Sequence, residues 1–114
     1  MITYVRPPDT ATKLTALADP RRREIFELLT SGPKSVAALS KELPVTRPAV
    51  SQHLKVLQDA GLVSHRVAGT RHLYRPNVMG VAVLRDYLDA MWRKALDTYK
   101  GEVDRAFAEQ KEKQ

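Results

Sequence analysis

Arg47, Ser51, Gln52 and Lys55 are the residues of this chain best suited by type and spacing to recognition chemistry. Arg and Gln present paired hydrogen-bonding groups that match guanine O6/N7 or adenine N6/N7, Ser adapts to either, and Lys meets phosphate oxygens. Such a set works only if one rigid element holds it on one side. Residues 45–63, VTRPAVSQHLKVLQDAGLV, read as that element. On a wheel of about 100° per residue, Ala49, Val50, His53, Leu54, Val56, Leu57 and Ala60 fill one arc. Arg47, Ser51, Gln52, Lys55, Gln58 and Asp59 fill the other, with the acidic Asp59 held back near the far end. Thr46 is an N-cap, Pro48 sits in the first turn where its missing N–H costs little, and Gly61 suits the left-handed residue that stops a helix. The predicted helix runs from about Arg47 to Ala60, and its polar N-terminal half fits a major groove.

Composition sets the frame around this helix. The chain has 114 residues, enough for one domain with a modest core, and a formal net charge of +6. Such a surplus favours a polyanionic partner, while a basic surface that only maintains solubility is the plainer alternative. There is no cysteine, which excludes disulfides, thiolate metal sites and cysteine nucleophiles. Without an apolar run near 18 residues or a secretory leader pattern, the chain is expected to be soluble and cytoplasmic, with no membrane partner.

The remaining elements follow from periodicity and punctuation. Asp9 or Thr10 caps a first helix to about Ala18, with Leu14 and Leu17 on its buried side. Asp19 caps a second, from Pro20 to about Thr30, carrying Arg21, Arg22 and Arg23 in its first turn. A third starts at Ser35 and closes at Leu43-Pro44, since the residue before proline resists helical geometry. Only Val45 and Thr46 then precede the reading helix, so the two form a helix-turn-helix in which Val36, Leu39 and Leu43 pack against Val50, Leu54 and Leu57. Leu62 to Val67 and His72 to Arg75 change to a strand period around Ala68-Gly69-Thr70-Arg71, which predicts a β-hairpin with Gly69 at positive φ. Asn77 caps a long last helix from about Val78 to Ala108. Its apolar stripe is longer than so small a domain can cover and predicts burial against a second copy, the plainer alternative being a C-terminal helix wrapped around its own domain. The fold class is mostly α with a small β-hairpin, a winged helix-turn-helix with a long C-terminal dimerisation helix. Residues 1–8 are expected to be a flexible arm, 9–108 the single DNA-binding and dimerisation domain, and 109–114 a disordered polar tail.

Three blocks carry a family likeness: Leu17-Ala18-Asp19-Pro20-Arg21-Arg22-Arg23-Glu24-Ile25, Val50 through Val63, and Ala68-Gly69-Thr70-Arg71-His72-Leu73-Tyr74-Arg75. Together they resemble the ArsR family of bacterial transcriptional repressors from about Thr10 to Arg75. The resemblance implies a homodimer that binds inverted repeats in promoters, with the reading helix in the major groove and the wing at the flank. One departure matters. Where metal-sensing members have a cysteine pair, this chain reads Val36-Ala37-Ala38-Leu39, and past His72 it has no histidine to join Asp86, Asp89, Asp97, Glu102 and Asp104 in the family's other sensing place. It is similar instead to a cysteine-free branch whose inducers are generally unknown, so no cofactor and no metal ligand is expected.

By role, Arg47, Ser51 and Gln52 are expected at base edges. Thr46, Lys55, Arg66, Thr70 and Arg71 are expected on phosphates or in the minor groove. The wing arginines have a plainer alternative as solubilising charges. Leu14, Leu17, Leu84, Tyr87, Leu88, Met91, Trp92, Ala95, Leu96 and Tyr99 are expected in the dimer interface. His53 falls in the apolar arc and is expected to pack or hydrogen-bond within the domain. If the hairpin turn is Ala68-Gly69 alone, His65 and His72 lie opposite one another, although two neutral ligands make a weak metal site. No phosphate loop, His-x-x-x-His spacing or nucleophile elbow is present, so an enzyme is not expected. The partner is then double-stranded DNA with a near-palindromic operator. Two alternatives stand beside this reading: a winged-helix protein-interaction module, and a ligand-responsive regulator with a small-molecule inducer site at the dimer seam.

Overall fold

A computed structural model describes residues 10–112. The expected arm and the alternative cap at Asp9 therefore lie outside the described residues. The chain forms α1 (Thr10–Ala18), α2 (Pro20–Leu29), α3 (Val36–Glu42), α4 (Arg47–Asp59), β1 (Val63–Ala68), β2 (Arg71–Pro76) and α5 (Val78–Glu112). This is the winged helix-turn-helix that the sequence predicts. It divides into two units, one ending at Leu84 and the other beginning at Arg85.

Caps set the helix starts. The Asp19 carboxylate accepts from the backbone N–H groups of Arg21 and Arg22 at 2.9 and 3.0 Å, and Pro20 occupies the first turn. Ser35 accepts from Ala38 N–H at 3.1 Å to start α3. That helix ends where Leu43 turns extended ahead of Pro44. Asn77 starts α5, its side chain accepting from Gly80 N–H at 3.4 Å.

The core of the first unit gathers the inner faces of α2, α3 and α4. Ile25, Leu39, Val50, Leu54, Leu57 and Leu62 are all completely buried. Each such side chain contributes about 2 kcal/mol relative to leaving it in water, so this cluster holds the unit together. On α1 the buried residues are Lys13 and Ala16. Leu17 is half-buried, whereas Leu14 is exposed, contrary to the expectation that both face inward. Ala16 faces the core and permits a close helix approach, and that choice of face turns Leu14 outward.

The hairpin turns within Ala68-Gly69-Thr70-Arg71, where the change of period predicts it. Ala68 pairs with Arg71, leaving Gly69 and Thr70 as the two central residues. Gly69 has φ 65° and no non-glycine residue described has positive φ, the pattern of a type II′ turn. His65 therefore faces Tyr74 and Val67 faces His72, so the two histidines are diagonal neighbours and not opposite. A pairing without sequence signature joins the hairpin to the α2–α3 connection, where Lys34 and Tyr74 exchange backbone hydrogen bonds at 3.0 and 2.9 Å.

Helix α5 continues to Glu112, past the expected end at Ala108, because Glu109, Gln110, Lys111 and Glu112 are good helix formers with no breaker among them. Leu84 is buried in the core of its own unit, with Val81 packed against that core. Tyr87, Leu88, Met91, Trp92, Leu96, Tyr99, Val103 and Phe107 are exposed. Among the described residues, no helix is long and apolar enough to cross a membrane.

At Gly80 a Cβ would overlap the carbonyl oxygen of Gly61 in the turn after α4. Gly80→Ala is expected to destabilise the chain by about 2 to 3 kcal/mol in urea unfolding, since the obstacle is backbone. Gly101→Ala, which meets nothing within 4 Å, is expected to stabilise α5 by up to about 1 kcal/mol. The backbone N–H of Arg22, then that of Arg21 and the charges of Arg22 and His53, hold the Asp19 carboxyl below its usual 3.8, with desolvation opposing. Its stabilising effect is complete above that ordinary value and fades as pH falls through the lower folded one. Asp19→Asn should therefore remove part of the acid dependence of the melting temperature.

Candidate nucleic-acid interface

The reading helix is built from its buried side outward. Val50, Leu54 and Leu57 are locked into the core, with Ala60 beside them, and this fixes the rotation of α4. Arg47, Ser51, Gln52, Lys55, Gln58 and Asp59 are consequently all exposed. Ala49 and His53 are half-buried on the protein side, as the wheel predicts for His53. Val56 is the exception in the apolar arc at 41 % exposure, because it lies at the edge of that arc beside a shallow hollow between α1 and α4.

Thr46 caps α4 by accepting from Ala49 N–H at 3.3 Å. There is no acidic residue in the first turn, so the partial positive charge of the helix N-terminus is not offset there. Lys55 lies 3.6 Å from Asp59, but both are largely exposed at 77 and 68 %. Such a pair is worth well under about 1 kcal/mol and leaves the ammonium free to exchange partners.

The wing is tied to this helix. His65 Nδ1 and Gln58 Oε1 are 2.7 Å apart, and the His65 ring lies 5.2 Å from that of His72 and 5.1 Å from that of Tyr74. One face of the hairpin is therefore occupied by ring packing and by a bond to α4. An open groove of about 740 Å³ runs between α3, α4 and the wing, with Lys41, Ser51, Thr70, Arg71 and Tyr74 among its walls. The fold thus brings Ser51, Thr70 and Arg71 to one groove. Arg47, Gln52, Lys55 and Arg66 are exposed but do not line it. Among the described residues, no group of three or more His, Cys, Asp or Glu is placed to hold a metal ion.

Several supporting residues escaped sequence reasoning. Arg22 donates from Nε to the Ala16 carbonyl at 2.8 Å and from Nη2 to that of Thr15 at 3.5 Å, closing the end of α1. The arginine triplet is thus a joint between α1 and α2, with Arg23 reaching Leu17 O at 3.4 Å and Arg21 paired to Glu24 at 3.0 Å. Its signal was available: Asp-Pro at a helix start followed by arginine three positions after the cap. Lys41, on the exposed side of α3, leaves no mark in the apolar spacing that defines that helix.

The family model for the bacterial regulatory protein ArsR family matches residues 19–65. The HTH-type transcriptional regulator Rv2034 of Mycobacterium tuberculosis is 52 % identical over 104 residues, covering 91 % of this chain and 94 % of that protein. This chain belongs to the ArsR family. The arsenical resistance operon repressor of Bacillus subtilis is 38 % identical over 94 residues, covering 81 % of this chain and 85 % of its own length. The solution structure of a homodimeric winged helix-turn-helix DNA-binding domain from Mycobacterium bovis, Mb0332, has TM-score 0.59 and 34 % identity, covering 78 % of this chain and 79 % of that one. As an ArsR-family member the chain is a DNA-binding transcriptional regulator, not an enzyme. The ArsR helix-turn-helix spans α2 to β1, which includes every candidate base-reading residue.

Gln58→Leu should free the wing without unfolding the body. We expect faster amide exchange across β1 and β2 with a loss of global stability of at most about 1 kcal/mol, measured by hydrogen exchange beside thermal unfolding.

Proposed function

We propose that this ArsR-family chain is a homodimeric repressor that binds an inverted-repeat promoter operator and has no intrinsic thiol or α5 metal sensor. The observation that carries the reading is that every residue of the polar arc of α4 is exposed, above a face fixed by Val50, Leu54 and Leu57. Arg47, Ser51 and Gln52 read base edges, and Thr46, Lys55, Arg66, Thr70 and Arg71 hold phosphates or the minor groove. The repressor role is supported by the named role of the Bacillus subtilis relative, and the homodimer by the Mycobacterium bovis domain. Exposed apolar residues on α5, from Tyr87 to Tyr99, supply surface for a second copy, with Leu14 exposed on α1. The absence of cysteine supports the lack of a thiolate sensor. A regulator of this kind acts where the chromosome is, in the cytoplasm.

Selection of bound duplexes from a random library tests this directly. The expected product is a near-palindrome with half-sites about 34 Å apart, one helical turn. Affinity is expected to fall with salt at a log–log slope of about −5 if roughly six phosphates are neutralised. Arg47→Ala should relax preference at one base position by about 1 to 3 kcal/mol, whereas Lys55→Ala should weaken all sequences alike. Equal losses on operator and random DNA for Arg47→Ala would refute its assignment to base reading.

A further inference from the structure

The hairpin register sorts its side chains into two unlike faces. His65 faces Tyr74 and Val67 faces His72, and this face is turned to the body by the 2.7 Å contact of His65 with Gln58. The other face carries the pairs Ser64 with Arg75, Arg66 with Leu73, and Ala68 with Arg71. Arg66, Arg71 and Arg75 are therefore on one side, all exposed. Residues 63–76 contain no Asp or Glu, and no ion pair among the described residues involves any of the three.

Their spacing along the hairpin is regular. Arg71 stands at the turn, Arg66 two pair positions down and Arg75 four, so successive guanidinium groups start about 7 Å apart, at about 3.4 Å per residue. A row of charges about 14 Å long is more than a fingertip contact requires. A single DNA strand presents phosphates one after another, at one per about 3.4 Å of axis, to any cationic row laid beside it.

We propose that the wing lies lengthwise on the sugar-phosphate backbone through Arg71, Arg66 and Arg75, and that Arg75, at its base, is a phosphate-contacting residue. The inference rests on the DNA-binding reading and extends it to a residue outside the reading helix and wing tip. The three arginines supply affinity and register but no sequence preference, because phosphates are the same along every sequence.

The test is a salt series for the full-length protein on its selected operator and on random duplex, comparing Arg71→Ala, Arg75→Ala and Arg75→Lys. Each alanine variant removes one arginine from each subunit of the proposed homodimer and should reduce the log–log salt slope by about 1.8, so that affinity lost between 50 and 200 mM salt is about 12-fold smaller. The loss should be equal on operator and random DNA, and Arg75→Lys should restore the slope by restoring the charge. An unchanged slope for Arg75→Ala beside a reduced one for Arg71→Ala would overturn the proposal in favour of a tip-only contact. A loss confined to the operator would also overturn it, by making Arg75 a base reader. If the unaltered protein bound no duplex at all, the DNA-binding reading itself would fail, which is a separate result. Circular dichroism of each variant keeps a folding defect from passing as lost contact.

Discussion

The structure depends on one act of burial: the inner face of α4 goes into the core and cannot turn. Val50, Leu54 and Leu57 have no exposed surface, and Leu39 of α3 and Ile25 of α2 meet them at full burial. Rotating α4 by one residue would move about 100° of surface, exposing these side chains and burying Arg47 or Gln52 without partners. The cost of uncovering even one leucine, about 2 kcal/mol, exceeds anything the exposed polar side contributes to stability. Hydrophobic energy alone therefore sets the direction of the recognition side chains. Arg47, Ser51 and Gln52 are free to be chosen for binding because they carry none of the folding load, whereas Thr46 also caps the helix.

Other contacts act as joints around that burial. Asp19 caps α2 while Arg22, one turn on, closes the end of α1, so a single turn fixes the angle between two helices. The absence of a side chain at Gly80 lets the first turn of α5 rest on the Gly61 carbonyl. The Leu62 carbonyl accepts from Asn77 N–H at 2.8 Å, so the hairpin is pinned at its base by both flanking segments. With the Lys34–Tyr74 pairing on its outer edge and Gln58 on its inner face, the wing is positioned from several sides while its tip stays in solvent.

How much of this was legible in the sequence follows from what each feature leaves in the chain. Helix α4 was readable because its cap, its proline, its stop glycine and its apolar period agree, and such agreement seldom arises without a helix. The winged order followed from short connections and one change of period. Leu14 and Val56 were misplaced because a helical wheel gives the width of an apolar arc, not which edge the neighbouring helix covers. The four turn residues of the wing are legible in the change of period, but Ala68-Gly69 and Gly69-Thr70 both accommodate a positive φ at Gly69, and backbone pairing decides for the second. The Lys34–Tyr74 bridge left no trace, since backbone hydrogen bonds are indifferent to side-chain identity. Arg75 went unassigned because its face is set by register, which is known only once the turn is fixed.

Helix α5 shows how spacing constrains an interface beyond the existence of an apolar surface. Trp92, Leu96, Tyr99, Val103 and Ala106 follow one another at steps of four, three, four and three, with Met91, Ala95 and Phe107 beside them. A step that averages near 3.5 keeps such a stripe on one side of the helix, whereas a strict step of four would wind it around the helix axis. That spacing is the one two helices need to lie along one another. In the proposed homodimer, two copies of α5 are therefore expected to meet lengthwise along this stripe rather than at a single crossing.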